Sequence, residues 1–227
     1  MEVLRTLNLS KTYGSGETRV EAIKKASFSI DKGQFVSIVG PSGSGKSTLL
    51  NLLGALDNPT SGQVFVDGRN VFAMPEEELA VFRRRHIGFI FQAYNLIPEL
   101  SVEENMVLPL LLDHKKPDWQ YIDELLDVLG MTERKHHLPN QLSGGQQQRA
   151  AIGRALASRP AIILADEPTG NLDSKNSREV IDLMRLSVER YNQTLIMITH
   201  NQNYAAYAGR VFYVEDGSVS ELKGGGQ

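Results

Sequence analysis

Two hydrophobic periods run along the chain and divide it into strands and helices. Residues 3–9 and 26–30 alternate apolar and polar positions, as strands with one buried face do. Residues 34–39, 87–91, 161–165, 194–199 and 210–214 are short apolar runs that predict further strands, and 63–66 predicts another after the turn at 58–62. Residues 48–57 read as a helix with Leu49, Leu50, Leu52, Leu53 and Leu56 on a broad apolar face. Pro75 opens a second helix that begins with Glu76, Glu77 and Glu78 and closes on Arg83, Arg84 and Arg85, which complements the helix dipole. From about 93 to 158 the pattern is helical. Ser101 and Glu104 have capping-box spacing, Asp118 is placed to cap, and Ile122, Leu125, Leu126 and Leu129 fall at i, i+3, i+4 and i+7 before Gly130. A further helix is predicted near 175–190. Strands alternating with helices imply an α/β protein whose sheet is mainly parallel and covered on both faces. An antiparallel β subdomain is expected near the N-terminus and an inserted helical subdomain over about 93–158. Residues 1–92 and 159–220 then form the core, and 221–227, ending Gly-Gly-Gly-Gln, reads as a flexible tail.

Composition narrows the classes without choosing among them. The 227 residues suit one domain carrying an insertion, and 24 Lys and Arg against 27 Asp and Glu leave a net charge of −3. That balance lacks the basic excess of nucleic-acid binders, so the arginines at 83–85 are read as dipole complement and solvated surface, and no nucleic-acid partner is expected. With no Cys, disulfides and thiolate metal sites are excluded. No apolar run approaches the roughly 20 residues a membrane span needs. A membrane process served by this protein therefore requires another chain.

The chemistry begins after the strand at 34–39. Gly40, Pro41, Ser42, Gly43, Ser44, Gly45, Lys46 and Ser47 match G-x-x-x-x-G-K-[ST] between a strand and a helix, the setting that motif requires. Glycine lets consecutive N–H groups turn toward an anion, and the helix that carries Lys46, Ser47 and Thr48 adds its positive end. Lys46 can reach the β and γ phosphates of a nucleotide, and the Ser47 hydroxyl can ligate Mg²⁺. The run 161–165 delivers Asp166 and Glu167 at a strand end, where open α/β sheets place their ligands. Asp166 suits the Mg²⁺ shell, and Glu167 can orient or deprotonate an attacking water. His200 and Gln92 follow two other predicted strands, as a γ-phosphate sensor and a reach to metal or water. Each of these four residues could merely end a strand; the phosphate loop beside them favours the chemical reading.

A second anion site has the same physics. Ser143, Gly144, Gly145 and Gln146 precede a predicted helix at 147–158, about 100 residues beyond the first loop. Either the chain binds two ligands, or two copies share each nucleotide between unlike helix ends.

Leu142, Ser143, Gly144, Gly145 and Gln146 resemble the signature motif of ABC transporter ATPases. The ordered set from Tyr13 to Gly217 is similar to the nucleotide-binding domains of that family. The resemblance implies a RecA-like P-loop NTPase core, ATP and Mg²⁺ as cofactors, and a head-to-tail homodimer with ATP at the interface. It implies that Tyr13 stacks on adenine, that Gln92 links the metal site to an integral membrane permease, and that Asp173 belongs to a loop crossing the dimer. It also implies a cytoplasmic position, peripheral on the inner face of the cell membrane. Phe91 to Pro98, Ser101 to Asn105 and Pro168 to Asp173 resemble the branch containing the MacB, LolD, FtsE and bacitracin-resistance ATPases, which implies export or mechanotransmission. Asn201 departs from the Asp usual after the histidine. A DNA-repair ABC ATPase would need coiled coils that 227 residues cannot hold. A small-molecule P-loop kinase would leave residues 142–146 unexplained. The cargo is not written in the sequence.

Overall fold

A computed structural model describes residues 1–222. The expected tail therefore begins later than 221, because Glu221 and Leu222 end a strand, and its remainder, 223–227, lies outside the described residues.

The first two strands, β1 (Glu2–Tyr13) and β2 (Val20–Asp31), are longer than their alternating runs and pair antiparallel. With β4 (Ser61–Val66) and the two-residue β5 (Arg69–Asn70) they make a four-stranded sheet ordered β2-β1-β4-β5. The six-stranded main sheet has the order β10-β9-β3-β8-β7-β6. Its parallel members are β3 (Phe35–Val39), β6 (Ile87–Phe91), β7 (Ile162–Asp166), β8 (Thr194–Ile198) and β9 (Arg210–Glu215). Only the edge strand β10 (Ser218–Leu222) runs antiparallel, paired with β9.

The period-2 rule divides each buried strand between two cores. Ile162 and Leu164 of β7 join a core with Leu49, Leu52 and Leu53 from helix α1 (Lys46–Leu53), whereas Ile163 and Ala165 face a second core. That second core holds α3 (Val102–Leu112), α4 (Trp119–Val128), α5 (Gly144–Ala157) and α6 (Ser174–Tyr191). The helical stretch between β6 and β7 thus shares one core with the sheet, since Val102, Met106 and Leu125 cluster with Ile90 and Met197. Both anticipated caps are present. Ser101 and Glu104 bond each other's backbone N–H at 2.8–3.3 Å, and the Asp118 carboxylate accepts from Tyr121 N–H.

One helix is shorter than its pattern. α1 stops at Leu53 rather than 57, with Gly54 at its cap and Ala55 left-handed at φ 51°. Leu56 is therefore not on the apolar face and is 46% exposed. Helix α2 (Glu76–His86) places its arginines as the dipole asks, and they have partners in the chain: Arg83 donates to the Ala55 carbonyl, and Arg84 and Arg85 clasp Asp113 beyond α3.

Parallel direction aligns the C-terminal ends of the strands. Phe91, Asp166 and Ile198 are register partners in sequence across β6, β7 and β8, and Ile38 of β3 is the next. Whatever follows each strand meets along one edge.

Candidate active site

The phosphate loop lies on that edge. It leaves β3 at Val39 and enters α1 at Lys46, and Gly45 at φ 107° caps the helix with no side-chain bond. A Cβ on Gly45 would stand 2.3 Å from the Ala22 carbonyl, so β2 and the loop approach at glycine distance. The Lys46 ammonium arches back and donates to the carbonyls of Gly40 (3.0 Å) and Pro41 (2.7 Å). Residues 42–48 and Tyr13 line an open cleft of about 1110 Å³, and Glu167 contributes to its wall. Cationic Lys46 and a fresh helix start in one wall make the cleft an anion site by two independent effects.

The strand ends supply the acids. Ser47 Oγ donates to Asp166 Oδ1 at 3.4 Å, which joins the loop to β7. Burial pushes the Asp166 carboxyl up from its ordinary value; the Ser47 hydroxyl and Lys46 pull it down, and the Glu167 charge adds to the rise. A hydroxyl and a carboxylate short of positive charge are a hard-oxygen pair that fits Mg²⁺, which takes few protein ligands and completes its shell with phosphate oxygens and water. Among the described residues no cluster of three or more His, Cys, Asp or Glu offers a competing metal site. Glu167 sits left-handed at φ 46°, its N–H bonded to the Ile198 carbonyl, and its Oε2 lies 2.9 Å from His200 Nδ1. A non-glycine residue held there is the kind of backbone strain that a surrounding site must over-determine. His200 follows β8, which does lie between β3 and β7. β8 ends at Ile198, one residue before the strand read from the sequence, because Asn201 then caps helix α7 (Gln202–Ala205) by accepting from Asn203 N–H. Asparagine caps as well as aspartate, so the departure at 201 keeps its local bond.

Gln92 follows β6 as expected, but its amide is engaged sideways. It donates to Asn171 Oδ1 at 3.0 Å, and Asn171 returns a bond to the Gln92 carbonyl at 2.9 Å. Arg154 of α5 then holds the next turn by donating to the carbonyls of Tyr94 (2.8 Å) and Asn95, both residues left-handed.

The second anion site departs from its sequence reading in one respect. Gly144, Gly145 and Gln146 form the first turn of α5 instead of a loop before it. The reason is a capping box: Ser143 Oγ accepts from Gln146 N–H at 3.4 Å and Gln146 Oε1 accepts from Ser143 N–H at 3.0 Å. Gly145 is where another helix comes close, since a Cβ there would meet Asn176 Oδ1 of α6 at 2.5 Å. Asp173 caps α6 by accepting from Asn176 N–H (2.9 Å), which holds its carboxylate below its usual range. Residues 143–146 are absent from the walls of the phosphate-loop cleft. The two helix starts therefore face different surroundings within one chain.

Sequence reasoning missed part of the cleft. Arg19 just before β2, Val20, Glu21, Ala22 and Lys24 of β2, Ile198 at the end of β8, and Asp216 and Gly217 of the β9–β10 turn form its remaining wall. No local motif marks them. They arrive through strand pairing, and only a longer reading of β2 would have found Val20, Glu21, Ala22 and Lys24.

With this geometry in view, kinship can be stated. Residues 23–170 match the family described as ABC transporter. The chain is 46% identical over 222 residues to an uncharacterised ABC transporter ATP-binding protein of Methanocaldococcus jannaschii, covering 97% of this chain and 99% of that one. It is 45% identical to the lipoprotein-releasing system ATP-binding protein LolD of Geobacter metallireducens, covering 96% and 97%. It is also 45% identical to the macrolide export ATP-binding/permease protein MacB of Bdellovibrio bacteriovorus, covering 93% of this chain but 32% of MacB. A dimeric post-hydrolysis structure of the ATP-binding cassette MJ0796 with ADP and Pi superposes with a TM-score of 0.84 at 43% identity, covering 97% and 99%. The chain belongs to the ABC transporter family. It is an ATP-binding subunit of that family and an ATPase, with a P-loop core.

Proposed function

We propose that two copies of this chain close head to tail on two Mg-ATP and, by hydrolysing them, drive a separate membrane permease of the MacB or LolD type. The observation that carries the pairing is the separation of the two helix starts. The cleft holding residues 42–48 has no contribution from Ser143 to Gln146, which back onto α6 instead. A sister molecule could present them. The dimeric MJ0796 cassette with ADP and Pi supports this arrangement.

In the proposed site Lys46 and the loop N–H groups bind the β and γ phosphates, and the Tyr13 ring stacks on the adenine. Ser47 and Asp166 hold Mg²⁺, whose bound charge would offset that of the phosphate oxygens. Glu167 orients the attacking water and takes its proton as the new O–P bond forms and ADP leaves. His200, bonded to Glu167 at 2.9 Å, addresses the γ phosphate. Ser143, Gly144, Gly145 and Gln146 of the second copy meet the same phosphates, and Asp173 stands on the crossing loop. Gln92 reports the state of the site to the permease. The groove beside its loop supports that last role: it measures about 460 Å³, with Phe89, Phe91, Leu112, Arg83 and Arg154 in its walls.

Among the described residues no helix is long and apolar enough to cross a membrane; the family membership supports a peripheral position on the inner face. The MacB relative is named as an ATP-binding/permease protein and the LolD relative as an ATP-binding protein, which supports work with a permease. The cargo would be of the class those systems handle, an antimicrobial peptide, macrolide or lipoprotein, and the permease would choose it. The Glu167→Gln variant tests the core of this reading. It should keep ATP binding, lose hydrolysis and elute as a dimer only with Mg-ATP; a monomeric profile with Mg-ATP rejects the paired site.

A further inference from the structure

Asp57 lies outside every motif in the chain, yet its side chain has three partners, one of which, Tyr13, lines the cleft. It follows α1 by a short turn, with its N–H bonded to the Asn51 carbonyl, so one element carries the phosphate loop at its start and Asp57 at its end. Its Oδ2 accepts from the Tyr13 hydroxyl at 2.6 Å, across from the end of β1. Its Oδ1 accepts from the Lys11 ammonium at 2.6 Å and from Asn58 N–H at 2.7 Å. Lys11 is itself pinned a second time, donating to the Asn58 carbonyl at 2.6 Å.

Lys11 also stands over the Tyr13 ring, 4.8 Å from its centroid. Tyr13 lines the cleft and Lys11 does not, so the ammonium stands over the ring without itself entering the cleft. A cation on one face leaves the other for a flat π-system. The ring is 42% exposed and would otherwise lose orientational freedom only on binding. Held by its hydroxyl and backed by a cation, it waits in one place.

We propose that Asp57 is a positioning residue for the nucleotide base: it fixes the Tyr13 ring, directly through the hydroxyl and indirectly through Lys11, at a set distance from the phosphate loop. The proposal rests on Tyr13 as the adenine-stacking residue. Burial pushes the Tyr13 phenol up from its ordinary value, and the Asp57 carboxylate adds to the rise, so the phenol keeps the proton that it donates.

The test measures ADP and inorganic tripolyphosphate affinity by calorimetry on the full chain and four variants. Tyr13→Ala should weaken ADP about tenfold, in the range of a lost base stack. Asp57→Asn and Tyr13→Phe should each weaken ADP by about threefold, one hydrogen bond's worth of positioning. The double variant Asp57→Asn/Tyr13→Phe should be no worse than Asp57→Asn alone, because Tyr13→Phe acts only on the hydroxyl–carboxylate bond that Asp57→Asn already weakens. Tripolyphosphate, which has no base, should bind all of them as it binds the parent. Should Asp57→Asn retain parental ADP affinity while Tyr13→Ala loses it, positioning is wrong and stacking stands. A neutral Tyr13→Ala removes the stacking role and the positioning with it. Equal loss of ADP and tripolyphosphate in Asp57→Asn would make Asp57 a structural prop of the loop, and would also overturn the proposal.

Discussion

Serine and glycine stand at the starts of both α1 and α5, yet the two starts cap their N–H groups differently. At α1 the capping residue is Gly45, left-handed and without a side-chain bond, and the first turn opens on the cleft. At α5 the serine and glutamine of the same short motif cap each other, and the first turn packs on Asn176. A helix start attracts anions through its dipole and its unpaired N–H groups. The dipole is common to both; the capping is not, since the α5 box takes up the Gln146 N–H and α1 has no such side-chain bond. The first start opens on the cleft that holds Lys46, whereas the second has its Gln146 N–H taken by its own Ser143 and lies outside that cleft. On the proposed reading, one motif binds alone and the other meets a nucleotide held by a second copy.

The comparison can be broken most sharply at Lys46. Lys46→Ala removes the only side-chain cation from the loop and should weaken ADP or ATP binding by about a hundredfold or more, since hydrogen bonds to charged groups contribute most. Calorimetry on the isolated chain reads this directly, and unchanged affinity would reject the phosphate-loop assignment. Ser143→Ala should do the reverse. ADP binding to the single chain should stay at the parental value while ATP turnover falls about tenfold, the loss of one charge-assisted bond reached only across the pair. If Ser143→Ala lowers ADP affinity itself, the two starts act within one chain and their contrast disappears.

How much of this was legible beforehand differs between the same two places. The phosphate loop could be read fully because its chemistry is local: glycine, lysine and serine at fixed offsets between a strand and a helix. The acids at 166 and 167 were legible for a similar reason, since a parallel strand fixes what its end can reach. The state of the second start was not, because a capping box and a bare anion loop share one spelling, and tertiary packing decides between them. The sideways bond of Gln92 to Asn171 joins residues 79 apart, and the Tyr13–Asp57 bond joins residues 44 apart; neither has a period or a motif to announce it. Leu56 failed for a subtler reason. Its helical spacing was correct, but Ala55 turned left-handed one residue earlier and ended the face.

The smallest expected effect separates what Ser143 does for its own helix from what it does for a phosphate. Losing a serine N-cap to alanine costs about 1 kcal/mol, while glycine in the same place costs only a few tenths. For a domain of this size about 1 kcal/mol shifts the melting temperature by roughly 2–4 °C. Ser143→Ala should therefore melt about 2–4 °C lower than the parent without nucleotide, and Ser143→Gly nearly with it. Turnover should not follow that order, because both substitutions remove the same hydroxyl. Thermal unfolding and steady-state hydrolysis on the same three proteins decide the matter. Should activity track the melting order, with glycine near the parent and alanine low, the hydroxyl would matter only as a cap, and α5 would be a helix start like any other. Should glycine melt like the parent and still lose about tenfold in turnover, the hydroxyl has a second duty that its own chain does not use.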